Sequence, residues 1–208
     1  MQNKLLRVAV LFFLAQLSRG AEPVKPAAPI AYASPEAVYK AYREACFKRD
    51  WRTVWTCFTT ERQKEEIFEC YFTSQFKPEK YLETLKKHRL ESEKVEAVMI
   101  KAYEQKHRVK SAYDSPADLE LSYEVLFNLV ADKPGFYKDM CNLIVEPGPM
   151  KLDELKKVTL QENTAQGDTM TIMPGPVLAN GQPANKVEQR IPKVVNFAKI
   201  NGGWLIIH

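Results

Sequence analysis

The sequence predicts an α+β domain with helices first and antiparallel strands second. From Ser34 to Ile144, apolar residues recur at helical spacing between capping signals. After Met150 the character changes to short strand-forming runs around polar and glycine turns. Helices followed by strands, rather than alternating with them, give α+β and not a parallel sheet.

Ahead of that domain, Lys4 and Arg7 precede the apolar run Val8 to Leu14, and Ser18 and Gly20 are small residues before a cut after Gly20. This is the pattern of a signal peptide over 1–20, and its apolar run is too short to span a bilayer. No cysteine directly follows the run, which argues against a lipid anchor. The protein is therefore expected to be exported, periplasmic or secreted, with no transmembrane segment in the mature chain. Loss of Lys4, Arg7 and Arg19 with the leader lowers the formal net charge from +4 to +1. The body then gives no global electrostatic reason to bind nucleic acid, and none is expected as a partner. Residues 21–33, AEPVKPAAPIAYA, read as a Pro/Ala-rich linker. Residues 34–208 read as a single domain, helical over 34–145 and stranded over 150–208.

Ser34-Pro35 opens the first helix, with Ser34 as N-cap and Pro35 at the first helical position. Val38, Tyr42, Ala45 and Cys46 give it one apolar face. Asp50 caps the next helix, in which Trp51, Val54, Trp55 and Phe58 stand at i, i+3, i+4 and i+7. Thr60-Glu61-Arg62-Gln63 reads as a capping box for a third helix carrying Ile67, Cys70, Tyr71 and Phe72. Lys77-Pro78 breaks it, and two helical stretches follow, one with Tyr81, Leu82 and Leu85 and one with Val95, Val98, Met99, Ala102 and Tyr103. Ser115-Pro116-Ala117-Asp118 starts a helix through Val130, and Phe136 to Ile144 forms the last, after Lys133-Pro134-Gly135. LKKVTLQE and DTMTIM flank the turn Asn163 to Gly167. KVEQRIPKVVNFAKI and WLIIH flank Asn201-Gly202-Gly203, a second hairpin signature. Pro192 places an edge or a bulge in that long strand.

Four cysteines, Cys46, Cys57, Cys70 and Cys141, would enter an oxidising compartment on export. They allow three full pairings, and the alternative of free buried thiols on apolar faces stands beside them. No C-x-x-C spacing supports zinc or redox chemistry.

SPEAVYKAYREACFKRDWRTVWTCFTTE resembles the opening of bacterial nuclear-transport-factor-2-like domains. NFAKINGGWLIIH is similar to their last hairpin, and LKKVTLQENTAQGDTMTI to the hairpin before it. The resemblance implies a cone, a curved antiparallel sheet wrapped around the N-terminal helices. The stretch Pro78 to Ile144 is then an enlarged helical insertion that covers the cone mouth or fills the cavity. Enzymes of that superfamily carry an acid–base set inside the cone, and no match to one stands in this sequence, so no catalytic residue is assigned. If the cone holds a cavity, the resemblance makes Tyr42, Trp55, Phe58, Phe197 and Trp204 its lining candidates.

Capping accounts for Asp50. His88 and His107 lie among charges on faces read as solvated, and His208 is terminal, so no metal site and no cofactor are expected. Basic clusters such as Lys86-Lys87-His88-Arg89 are interleaved with acids and read as solvated helix faces. The expected function is a non-catalytic binding or interaction domain. Its expected partners are a small apolar ligand and a second copy across the sheet face. An isomerase, dehydratase or hydrolase using a cone cavity is the alternative.

Overall fold

The computed structural model describes residues 31–76, 78–108, 118–144, 151–173 and 189–207. The segment read as a signal peptide, most of the segment read as linker, the Ser115-Pro116 helix start and His208 lie outside the described residues.

Ser34 caps α1 (Pro35–Lys48), accepting the Ala37 N–H at 3.2 Å. Asp50 caps α2 (Trp51–Thr56), with Oδ1 accepting the Thr53 N–H at 3.2 Å and Oδ2 its hydroxyl at 2.6 Å. The second helix is shorter than the spacing predicts. Phe58 lies past its end, in a parallel bridge with Ile206, because the Cys57 carbonyl and Thr59 N–H bond to Ile206 instead of continuing the helix. The cap of α3 (Thr60–Gln75) is Thr59 and not Thr60. Thr59 Oγ1 accepts the Arg62 N–H at 3.2 Å, while Gln63 Nε2 turns to the Trp55 carbonyl at 3.0 Å.

Among the described residues, four helices fill the stretch from Pro78 to Ile144: α4 (Pro78–Lys87), α5 (Ser92–His107), α6 (Leu119–Leu129) and α7 (Lys133–Ile144). Asp118 caps α6, its side chain accepting the Leu121 N–H at 2.9 Å. The seventh starts at Lys133, ahead of the expected Phe136, since the Asp132 side chain accepts the Gly135 N–H and Pro134 fits a first turn. It packs against α2 and α3 with Phe136 and Met140 fully buried. This stretch thus contributes directly to the core.

The strands are β1 (Lys151–Leu152), β2 (Lys156–Gln161), β3 (Thr164–Met173), β4 (Gln189–Ile200) and β5 (Gly203–Ile206). They form one antiparallel sheet in the order β1-β3-β4-β5, with β2 pairing a second stretch of β3. The first hairpin turns on Glu162 and Asn163 alone, and the expected turn residues Thr164 to Gly167 belong to β3. Gly167 is needed for space: a Cβ there would meet the Leu155 side chain at 2.8 Å. Between Lys156 and Thr159 the register shifts, with Lys157 at φ 49, a bulge that bends the strand.

Ala165, Thr169, Val195 and Phe197 turn inward against the helices, while Val194 and Ile200 face outward at 45% and 39% exposure. Pro192 pairs with Met170 on one side, and β5 reaches only Phe197 to Ile200 on the other. That proline therefore sits where β4 is an edge among the described strands. The outer edge of β5 is covered by two N-terminal segments. Trp204 N–H donates to the Tyr32 carbonyl at 2.9 Å, and Ile206 N–H to that of Cys57 at 2.8 Å. Tyr32, at the end of the segment read as linker, is thus part of the fold. Among the described residues no helix is long and apolar enough to cross a membrane.

Candidate functional site in the sheet interior

Two helices and the sheet converge on one small interior space. From α1 come Tyr39 and Tyr42, three residues apart on one helix face, and from α3 come Arg62 and Glu66, four apart. Thr169 on β3 stands directly opposite Lys193 on β4, and both reach the same space. Phe58, Leu152, Val195 and Ile206 supply the apolar wall. The cavity measures about 50 Å³. A water molecule takes roughly 30 Å³ of liquid volume, so one or two waters fill it.

The polar groups of this wall are largely engaged with one another. Tyr39 Oη is 2.8 Å from Thr169 Oγ1 and donates to the Asp153 carbonyl at 3.0 Å, fastening α1 to the sheet. Arg62 Nη2 donates to Glu66 Oε1, and Nη1 to Glu65 Oε2 at 2.9 Å. Burial raises the Glu66 carboxyl above its ordinary range, and the attraction of Arg62 only partly offsets it. Burial pushes the Tyr42 hydroxyl well up, with the Cys46 thiol as hydrogen-bond partner, and drives that thiol to about 12. At neutral pH both Tyr42 and Cys46 are therefore protonated. Chemically, the interior offers one buried carboxyl able to take up a proton, one guanidinium balancing it, and a neutral phenol.

Of the lining candidates, Tyr42 and Phe58 stand on the cavity wall with ring centroids 5.8 Å apart. Trp55 packs on Tyr137 of α7 at 5.4 Å instead. Phe197 is fully buried beyond the wall, and Trp204 is buried on β5 beside Tyr32. Sequence reasoning missed Tyr39, Arg62, Glu66, Thr169 and Lys193. A signal for two of them was present. Arg62 and Glu66 are at i, i+4 spacing, and Glu66 adjoins Ile67 and Cys70, the buried stripe of α3.

Asp50 is exposed and serves as a helix cap. The solvated-face reading fails for His88. Its side chain is 8% exposed, lies on Phe136 at 5.3 Å and bonds Asp139 Oδ2 at 2.8 Å. Burial against Phe136 of α7 is the reason, because α7 covers the face of α4 that the charge pattern assigned to water. His107 bonds Asp118 Oδ2 at 2.8 Å near the surface. Among the described residues no cluster of three or more His, Cys, Asp or Glu side chains is arranged to hold a metal ion.

No protein-family model matches this chain. No curated protein matches it either. A solved structure similar to it is the 2.00 Å crystal structure of a protein described as an NTF2-like transpeptidase from Campylobacter jejuni. The two are 10% identical, and the match covers 55% of this chain and 92% of that one at a TM-score of 0.21. A likeness at that score carries no functional argument, and the α+β architecture stands on the elements described above.

Proposed function

We propose that this chain is an exported, non-catalytic binding or interaction domain. The carrying observation is the interior: about 50 Å³, walled by side chains already bonded to one another. Ligand pockets for organic molecules run to about 300–1,000 Å³, several times this size. Binding then falls to the outside of the domain. The outward face of β3 and β4 exposes Val194 and Ile200 beside Asp168, Gln166 and Asn196, a mixed surface suited to a second copy of the chain. Export rests on the leader pattern of residues 1–20. A native mass spectrum of the protein from its own exported fraction tests all three parts. The expected result is a leader-free dimer with no retained small molecule. A retained organic ligand, or a protein found only inside the cell with its leader intact, overturns the corresponding part.

One observation favours the enzyme alternative, an isomerase, dehydratase or hydrolase. Glu66 is a buried carboxyl with a raised pKa beside a phenol, which is how a general acid is made. That reading needs the cavity to widen around a substrate. It predicts that Glu66→Gln abolishes a turnover that Asp50→Ala leaves intact, whereas the binding reading predicts no turnover in either.

A further inference from the structure

We infer that a cleft on the outward face of the sheet binds a neutral polysaccharide chain. The inference rests on the reading that binding falls to the outside of the domain, and it names the ligand. The cleft measures about 450 Å³, within the range of ligand sites and unlike the interior cavity. Its polar lining is Thr159 and Gln161 of β2, Thr164 and Gln166 of β3, and Asn196 of β4. Apolar residues make up the rest, and among the described residues no charged group lines it.

Strand register gathers these side chains. Thr159 pairs with Gln166 and Gln166 with Asn196, so the three stand in one row across β2, β3 and β4, and Gln161 pairs with Thr164 beside them. Successive residues of a strand face opposite ways, so the register decides which ones share a face. Lys156 pairs with Asp168, and an even count from there would set Val158 opposite Gln166. The bulge at Lys157 adds one residue and sets Thr159 there instead, which is how bulges re-aim side chains at functional sites. Gln166 Nε2 then donates to Asn196 Oδ1 at 3.1 Å, which fixes both amides. Gln166 Oε1 and Asn196 Nδ2 stay without a partner among the described residues. Thr164 Oγ1 donates to the Gln161 carbonyl at 3.2 Å and can still accept.

These groups select the ligand. A threonine hydroxyl and a side-chain amide each both donate and accept, and so does every hydroxyl of a sugar. A charged ligand, a nucleic acid included, would find no counter-charge in the cleft. An apolar ligand would strip its polar side chains of water without pairing them. An extended peptide adds to a free strand edge through its backbone, whereas these groups stand on the face of the sheet. The row from Thr159 to Asn196 spans two strand spacings and so runs about 10 Å, longer than one sugar ring. It matches linked sugars rather than a single one. Thr159, Gln161, Thr164 and Gln166 are exposed and Asn196 is half-buried, so a long chain can lie along them.

The test is a calorimetric titration of the purified full chain with maltohexaose, cellohexaose, laminarihexaose, xylohexaose and chitohexaose, at least one of which should bind. Thr159→Val keeps the shape of the side chain without its hydroxyl and should weaken that binding about threefold to tenfold, the worth of one hydrogen bond. Asn196→Ala should weaken it as much, while Thr159→Ser should stay within about twofold. Thr159 is exposed, so its variants should keep the parent Tm. Binding of none of these glycans, or binding that survives Thr159→Val and Asn196→Ala combined, overturns the inference. The second copy proposed above would cover Gln166 and Asn196, so native mass spectra of the same samples separate the two ideas. A dimer that the bound glycan splits supports both. A monomer, or a dimer left intact, that binds the glycan supports the cleft and refutes a second copy seated over it. A dimer that binds no glycan refutes the cleft and keeps the second copy. Shortened hexasaccharides after incubation support the cleft and refute the non-catalytic reading.

Discussion

The Trp51 indole N–H donates to Asn142 Oδ1 at 2.9 Å, joining α2 to α7 across the insertion. The ring itself is 3% exposed, so this residue combines a packed apolar body with a polar pin. Trp51→Phe keeps most of the packing and should cost about 1 kcal/mol. Trp51→Ala should cost about 3–5 kcal/mol by cavity formation. Urea unfolding monitored by circular dichroism measures both. A loss for the alanine variant no larger than that for the phenylalanine variant would mean that packing is not what Trp51 contributes.

Asp50 offers a clean separation of capping from catalysis. Its carboxyl is held below the ordinary range first by the Thr53 hydroxyl and then by the Thr53 amide. Asp50→Ala should cost about 1 kcal/mol of stability, and Asp50→Asn a few tenths, because asparagine also caps. Denaturant midpoints of the two variants decide the matter, and equal losses would contradict the capping role.

The acid side of the stability profile should be steep. Asp118 is lowered by Lys106, the Leu121 amide and His107 in that order. At Asp139, burial works against ionisation, but Lys87 and His88 outweigh it and the carboxyl is also lowered. A carboxyl lowered in the folded state contributes stability that is present above its unfolded value, about 3.9, and is lost as pH falls through the folded one. Asp118→Asn should therefore flatten the decline below about pH 4 in a series of thermal melts.

Glu66 runs the other way. Its folded value is raised, so its contribution is full below about pH 4.3 and fades as pH rises through the folded value. Glu66→Gln should remove that fading as pH rises above about 4.3, whatever it does to absolute stability through Arg62. An unchanged slope in this variant would show that the carboxyl titrates normally.

Adjacent glycines in the last turn answer to different demands. Gly202 has φ 84 and nothing within 4 Å of a Cβ, so Gly202→Ala should cost about 1 kcal/mol through backbone strain alone. At Gly203 a Cβ would meet Ala31 Cα at 2.7 Å. Gly203→Ala should therefore push residues 31–32 off β5 and speed hydrogen exchange at the Trp204 amide, which Gly202→Ala should leave slow.

Local chemistry made much of this fold legible. Ser34, Asp50 and Asn201-Gly202 each act within a few residues of their own position, and each stands where the sequence puts it. Failures came where a distant partner decided. Thr60 lost the cap to Thr59 because the chain at Cys57 and Thr59 is held by Ile206, from the far end of the sequence. Gly167 reads as a turn residue, yet it is small because Leu155 lies over it. The same holds at the site. Tyr42 belongs to a helix face that periodicity shows, whereas Glu66 looks like a surface acid until the sheet closes over it.

The clasp of β5 by residues 32 and 57–59 sets an order of events in time. Ribosomes release the first helices early, while the strand that seals them follows only after the later helices and strands have been made. Until then Phe58 lacks its final cover, and contacts this distant in sequence are slow to close. The nascent chain is thus kept from closing this part of its fold until β5 has emerged, a long window in which chaperones that hold unfolded polypeptides can engage it.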